Sequence, residues 1–255
     1  MERIYGIVPP MVTPFCADNI LDETAFRIEI NYLIEHAGVH GLAVTGSTGE
    51  GHTLSVKETQ LLTNWAIEEV NGRVPVITGI ITDSTQSAIE RGKAVADLGV
   101  TALQVTPVHY LFRPDDDAMI RHFEAITTAT GIPIMIYNVV PWTYLSPALL
   151  ARIIRSVEGV VGVKQSAGDM KLLADLLLTV GDEARIMTAV DALLYPSFML
   201  GAHGAIAAIL TAVPKLCVDL WDACQTKAHE RALDLHKRLL QIWNAISADN
   251  LPANT

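Results

Sequence analysis

Cysteine is scarce in this 255-residue chain. Cys16, Cys217 and Cys224 make an odd count with no framework spacing. That excludes a disulfide scaffold and points to free thiols in a reducing, cytoplasmic setting. Basic residues are few: 18 Lys and Arg against 28 Asp and Glu leave a net charge of −10. Nucleic-acid binding rests on neutralising phosphates, so no nucleic-acid partner is expected. Charged residues make up only 18% and hydrophobic ones 50%, which excludes a disordered chain. The start, Met1-Glu2-Arg3-Ile4-Tyr5, lacks a signal-peptide pattern. One uncharged run, Ala192 to Pro214, is long enough to span a bilayer. Pro196, Gly201, Gly204 and Pro214 break it, so it reads as a buried helix, a turn and a buried strand. No membrane partner is expected.

What the chain does have is repetition. Near-continuous apolar runs recur at residues 6–13, 41–45, 74–80, 102–106, 132–137, 160–164, 185–190 and 204–209. Unbroken apolar runs suit strands covered on both faces. Helical patterns lie between them: Asp22 to His36, Ser55 to Val70, Ser84 to Leu98, Pro114 to Thr130, Ser146 to Val157, Asp169 to Val180 and Asp191 to Leu200. Ser55-Val-Lys-Glu58 is a capping-box pattern. The unit is roughly thirty residues, the size of a βαβ crossover. Eight such units in this length predict a (β/α)8 TIM barrel. A doubly wound sheet would carry a glycine-rich phosphate turn after its first strand. Met11-Val-Thr-Pro-Phe15 stands there instead. Residues 1–225 are expected to form the catalytic barrel, and 226–255 the start of a C-terminal helical extension. Asn250-Leu-Pro-Ala-Asn-Thr255 reads as a connection, so truncation of further C-terminal helices is expected there.

Barrel chemistry sits at the C-terminal ends of the strands. Six lysines, Lys57, Lys93, Lys171, Lys215, Lys227 and Lys237, fall in helical patterns; Lys164 alone ends a strand of valines and glycines. One reading is a strand-end ammonium reaching out of the barrel mouth. The other is a nucleophilic amine, since an apolar setting disfavours the charged form. Its natural reaction is imine formation with a ketone. Tyr137 ends the neighbouring strand. It is either a half-buried strand tyrosine or a phenol that moves the protons imine chemistry needs. Gly46-Ser-Thr-Gly-Glu-Gly51 is either a tight turn or a set of donors for a carboxylate. The histidines form no cluster at strand ends, which argues against a metal-dependent barrel. No metal is expected.

Together these residues resemble the dihydrodipicolinate synthase and N-acetylneuraminate lyase family of pyruvate-dependent class I aldolases. The resemblance runs along the whole chain. It is carried by Pro10-Met-Val-Thr-Pro-Phe15, Gly46-Ser-Thr-Gly-Glu50, Ile136-Tyr-Asn138, Gly162-Val-Lys164 and Leu200-Gly-Ala-His-Gly-Ala-Ile206. It implies that Lys164 is the Schiff-base lysine and Tyr137 the relay tyrosine. It implies that Ser47 and Thr48 hold the keto acid's carboxylate, with Thr48 also in the relay. Ile206 falls on the residue whose backbone lies against bound pyruvate. It implies a homo-oligomer, dimer or tetramer, and no cofactor beyond the covalent lysine–substrate imine. The expected partners are pyruvate or another 2-keto acid and an aldehyde.

Three positions depart from the family pattern. Trp142 stands where the synthases have an arginine for the acceptor's carboxylate. His109 stands at the second tyrosine of their Pro-Tyr-Tyr run, with Tyr110 one place off. Val190-Asp191-Ala192 keeps only the acid of the sugar-acid lyases' Gly-Asp-Glu. His109, Trp142 and Asp191 are therefore expected to bind substrate on the acceptor side. The alternatives are 4-hydroxy-tetrahydrodipicolinate synthase itself and a keto-acid-binding relative without turnover.

Overall fold

The computed structural model describes residues 4–255, so the reading of Met1-Glu2-Arg3 lies outside the described residues. The eight expected strands form. They are β1 (Gly6–Ile7), β2 (Leu42–Val44), β3 (Val76–Ile80), β4 (Ala102–Val105), β5 (Ile134–Asn138), β6 (Val160–Gln165), β7 (Arg185–Thr188) and β8 (Gly204–Ala205). All pair in parallel, in the order β1-β8-β7-β6-β5-β4-β3-β2. Pro10 bridges Ala43 and so brings β1 against β2, which closes the (β/α)8 barrel. Two glycines explain a tight corner. A Cβ on Gly204 would sit 2.1 Å from the Gly6 carbonyl oxygen, so β8 approaches β1 only without a side chain.

Helices surround the barrel: α1 (Glu23–Asn31), α2 (Val56–Val70), α3 (Thr85–Ala94), α4 (Asp116–Thr130), α5 (Pro147–Ser156), α6 (Met170–Val180), α7 (Leu194–Met199) and α8 (Ile209–Ala212). Then come α9 (Pro214–Gln225), α10 (His229–Ile246) and α11 (Leu251–Asn254). The N-caps of six helices are short Asp or Ser side chains. Asp22, Ser55, Ser84, Asp115, Ser146 and Asp169 each accept a backbone N–H of the first turn. The Ser55–Glu58 capping box is complete on both sides.

Two elements differ from the expectation. The eighth strand stops at Ala205, and the chain turns into α8 by Ile209. The buried carboxylate of Asp191 captures the Ile209 N–H at 2.7 Å, which starts a helix where apolarity alone reads as strand. The expected connection at the C-terminus contains the short helix α11, folded back so that the Asn254 amide donates to the Ile246 carbonyl.

The core has two shells. Inside the barrel lie Ile4, Val8, Ala43, Ile77, Ala102, Met135, Met187 and Ile206. Outside it, alternate strand residues such as Leu103, Val105 and Val163 pack under the helices. No helix among the described residues is long and apolar enough to cross a membrane.

Candidate active site

The turn after β2 is built under strain. Thr45, a β-branched residue, has φ 54°, and Glu50 has φ 55°. Such backbone costs about 1–3 kcal/mol per residue and persists only where its surroundings impose it. Here the Thr45 hydroxyl donates to the Gly79 carbonyl at 2.9 Å. The Gly51 N–H donates to the Gly46 carbonyl at 2.9 Å, and a Cβ on Gly51 would lie 1.8 Å from the Thr45 oxygen. The turn closes only with glycine at 51, and closing it points Ser47 and Thr48 into the barrel mouth.

Tyr137 and Lys164 are paired across β5 and β6. Both are buried, Lys164 to 4% exposure. The Lys164 Nζ lies over the Tyr137 ring, 4.0 Å from its centroid. The Tyr137 hydroxyl donates to Ser47 Oγ at 2.9 Å. Lys164 has no carboxylate in ion-pair contact among the described residues. It ends in a cavity of about 340 Å³ rather than in solvent. Ser47, Thr48, Tyr137, Lys164, Asp191 and Ile206 all line that cavity. Six of the eight expected site residues are thus brought together.

Asp191 has a partner already. It accepts the Ile209 N–H, and burial pushes its carboxyl above the usual range. The hydrogen bonds from Ile209 and Ala208 and the charge of Lys164 pull the other way. Asp191 therefore braces the β8–α8 connection that carries Ile206.

His109 and Trp142 stand outside the cavity lining. The His109 ring is drawn to the rim, with Nε2 2.8 Å from Asp83 and Nδ1 2.9 Å from the Pro107 carbonyl. Trp142 donates its indole N–H to the His109 carbonyl at 2.8 Å and is 67% exposed. These two residues staple the β4–α4 and β5–α5 loops together. Loop geometry, which residue type does not reveal, leaves both residues off the lining of the cavity.

The cavity also holds residues beyond the eight expected site residues. Ser166 lines it two places beyond Lys164, and its buried hydroxyl has no partner. Strand alternation from Lys164 was the available signal. Val139, Ala189, Leu251 and Pro252 give the outer wall an apolar surface. A depression of similar volume at the opposite end, around Gly131 and Gly159, has Glu158 but no lysine or tyrosine. Among the described residues no group of three or more His, Cys, Asp or Glu could hold a metal ion.

The dihydrodipicolinate synthetase family matches residues 3–254. A 4-hydroxy-tetrahydrodipicolinate synthase from Methanopyrus kandleri is 33% identical over 253 residues, 98% of this chain and 84% of that protein. A prophage protein of the dihydrodipicolinic acid synthase family from E. coli K12, solved in complex with pyruvate, is 30% identical. Its TM-score is 0.91, over 96% of this chain and 83% of that one. A chloride-inhibited dihydrodipicolinate synthase from Acinetobacter baumannii, also complexed with pyruvate, is 26% identical. Its TM-score is 0.91, over 98% of this chain and 86% of that one.

Proposed function

The chain belongs to the dihydrodipicolinate synthetase family, and from that premise we propose that it makes or breaks a carbon–carbon bond beside the keto group of pyruvate or another 2-keto acid, through an imine on Lys164. The observation that carries this reading is the lysine itself. It is buried with no carboxylate in ion-pair contact among the described residues, stands over a phenol and faces a cavity with two hydroxyls. A protein tolerates so expensive a burial mainly where the amine is used.

The Lys164 nitrogen attacks the keto carbon. One of its protons passes by way of Tyr137 to the former carbonyl oxygen and gives a carbinolamine. A second proton, taken from solvent and delivered through Tyr137, lets that oxygen leave as water and leaves a protonated imine. That cation accepts the electron pair released at the adjacent carbon. Loss of a proton there gives an enamine that attacks an aldehyde; cleavage is the reverse. Hydrolysis restores the amine. Ser47 and Thr48 hold the carboxylate, which fixes orientation. Tyr137 moves the protons along its bond to Ser47. No external cofactor is needed in this scheme.

The name of the curated relatives supplies a second reading, 4-hydroxy-tetrahydrodipicolinate synthase. By the resemblance, that enzyme grips its acceptor's carboxylate with an arginine. Among the described residues no arginine lines this cavity, and its outer wall is Val139, Ala189, Leu251 and Pro252. We therefore favour an aldehyde with an apolar or aromatic face. We also assign the protein to homo-oligomers.

The test is borohydride reduction with pyruvate followed by peptide mass mapping. A pyruvyl adduct on the peptide holding Lys164, absent in Lys164→Ala, is the expected result. No adduct, or one on another lysine, removes the proposal. An aldehyde screen on the trapped-competent enzyme then ranks apolar against carboxylate-bearing acceptors.

A further inference from the structure

The cavity is lined in two layers. The groups of the imine chemistry form the inner one, with Tyr137 and Lys164 paired across β5 and β6. The outer layer begins where the strands stop. Val139, Ser166 and Ala189 are the first residues after β5, β6 and β7, and all three line the cavity. The mouth of a barrel lies at that end of its strands. A space of about 340 Å³ exceeds what a small keto acid fills, so the outer layer is left for the second reactant.

Two more lining residues come from outside the barrel. Leu251 and Pro252 open α11, which hangs from the end of α10. The helix it hangs from is fixed: Leu235 and Leu239 are buried in the core, and Trp243 packs against it. Among the described residues, the hydrogen bonds of residues 247–255 run to the last turn of α10 or stay within the segment. Apolar contact is therefore what seats α11 on the mouth. Leu251 and Pro252 are half-buried while Ala253 and Asn254 are exposed, so the apolar pair is the face turned to the cavity.

Such a wall discriminates by chemistry. A carboxylate set against Leu251 and Pro252 loses its water and gains no donor. Beyond Lys164 and Tyr137, the one ionisable lining residue among those described is Asp191, a carboxyl that offers an anion no attraction. An alkyl or aryl group in the same place removes apolar surface from water.

We propose that Leu251 is a specificity-determining residue: with Pro252 it forms a strap across the outer layer that selects aldehydes carrying an alkyl or aryl group. The strap acts on the second reactant and leaves imine formation to the residues beneath it. It adds no covalent step. The proposal rests on the imine reading above, because the second reactant belongs to that reaction.

Benzaldehyde and 4-carboxybenzaldehyde, each offered with pyruvate, are matched probes that differ only in a carboxylate. Wild type is expected to show the higher kcat/KM with benzaldehyde. Leu251→Asn holds the side chain close to its size and puts an amide on the wall. The ratio of the two kcat/KM values is expected to fall at least about tenfold, the effect of a small change in an apolar pocket. Leu251→Met keeps the wall apolar, and the ratio should stay within about threefold of wild type. In both variants the pyruvate concentration for half-maximal borohydride trapping should change by less than about twofold, a split that a merely structural Leu251 would not give. The proposal is overturned by a wild type that forms the adduct without preferring benzaldehyde, or by a ratio that Leu251→Asn leaves unmoved. It is equally overturned if Leu251→Met lowers the ratio as far as Leu251→Asn, or if the pyruvate half-saturation moves as far as the ratio. Wild-type protein that yields no adduct on Lys164 removes the imine reading instead, whatever the variants do.

Discussion

At the scale of single residues, the site separates a ring from a hydroxyl. The Tyr137 ring supports the lysine from below, and its O–H reaches Ser47. Tyr137→Phe removes only the second. The ring stays, so the variant should fold and still bind the keto acid. Proton transfer by a positioned side chain contributes about 10²–10⁴-fold, and kcat should fall by that much. Single-turnover trapping checks this: imine formation slows while the pyruvate half-saturation stays within about twofold. A variant with full turnover would assign the proton traffic to Thr48 or to solvent. Thr48 lines the cavity, but the Tyr137 hydroxyl is bonded to Ser47.

At the scale of elements, α4 is tied to the barrel by one buried imidazole. His122 places Nε2 3.2 Å from the Thr106 carbonyl, so that nitrogen carries the proton and donates. Its Nδ1 accepts from the Thr85 hydroxyl at 2.9 Å. Burial pushes its pKa down from 6.5 to about 4, against the smaller upward pull of the Thr106 bond. The ring is thus neutral in the fold but takes up a proton when unfolded below about pH 6.5. Its contribution is fully present above that pH and is lost as pH falls towards 4. The loss amounts to about 3 kcal/mol. Urea unfolding of wild type and His122→Gln between pH 4 and pH 8 measures it. The stability gap should be constant above pH 6.5 and shrink below it. Parallel curves would refute the assignment.

The same scale shows what was legible in the chain. Strands β2 to β7 were readable because a barrel strand is covered on both faces and its apolar run is unbroken. Lys164 was readable for the same reason, as a charge where the pattern forbids one. The end of β8 was not, because a single long-range bond from Asp191 to Ile209 converts apolar chain into helix. The directions of His109 and Trp142 were not, because Asp83 and a loop carbonyl decide them. Leu251 and Pro252 reach the cavity through the return of α11, which no local pattern encodes.

At the scale of the whole molecule, apolar surface is concentrated beside the site. Tyr110, Leu111 and Phe112 are exposed by 69%, 67% and 81%, and the Trp142 indole is bonded to the same loop. Leu111 has φ 58°, so the loop holds this surface outward at a backbone cost. A monomer rarely leaves such a cluster uncovered. A second copy of the chain is the occupant that the proposed homo-oligomer would supply. Each copy carries a net charge of −10, so two copies repel at long range and apolar contact has to offset that repulsion. Screening that repulsion should therefore tighten the assembly, the reverse of the response of a salt-bridged interface. Sedimentation velocity at low and at high sodium chloride is the measurement. We expect a species larger than 27.6 kDa whose dissociation constant falls as salt rises. Phe112→Asp should shift it towards the monomer. A wild-type chain that stays monomeric at tens of micromolar under both conditions would leave this loop to some other task.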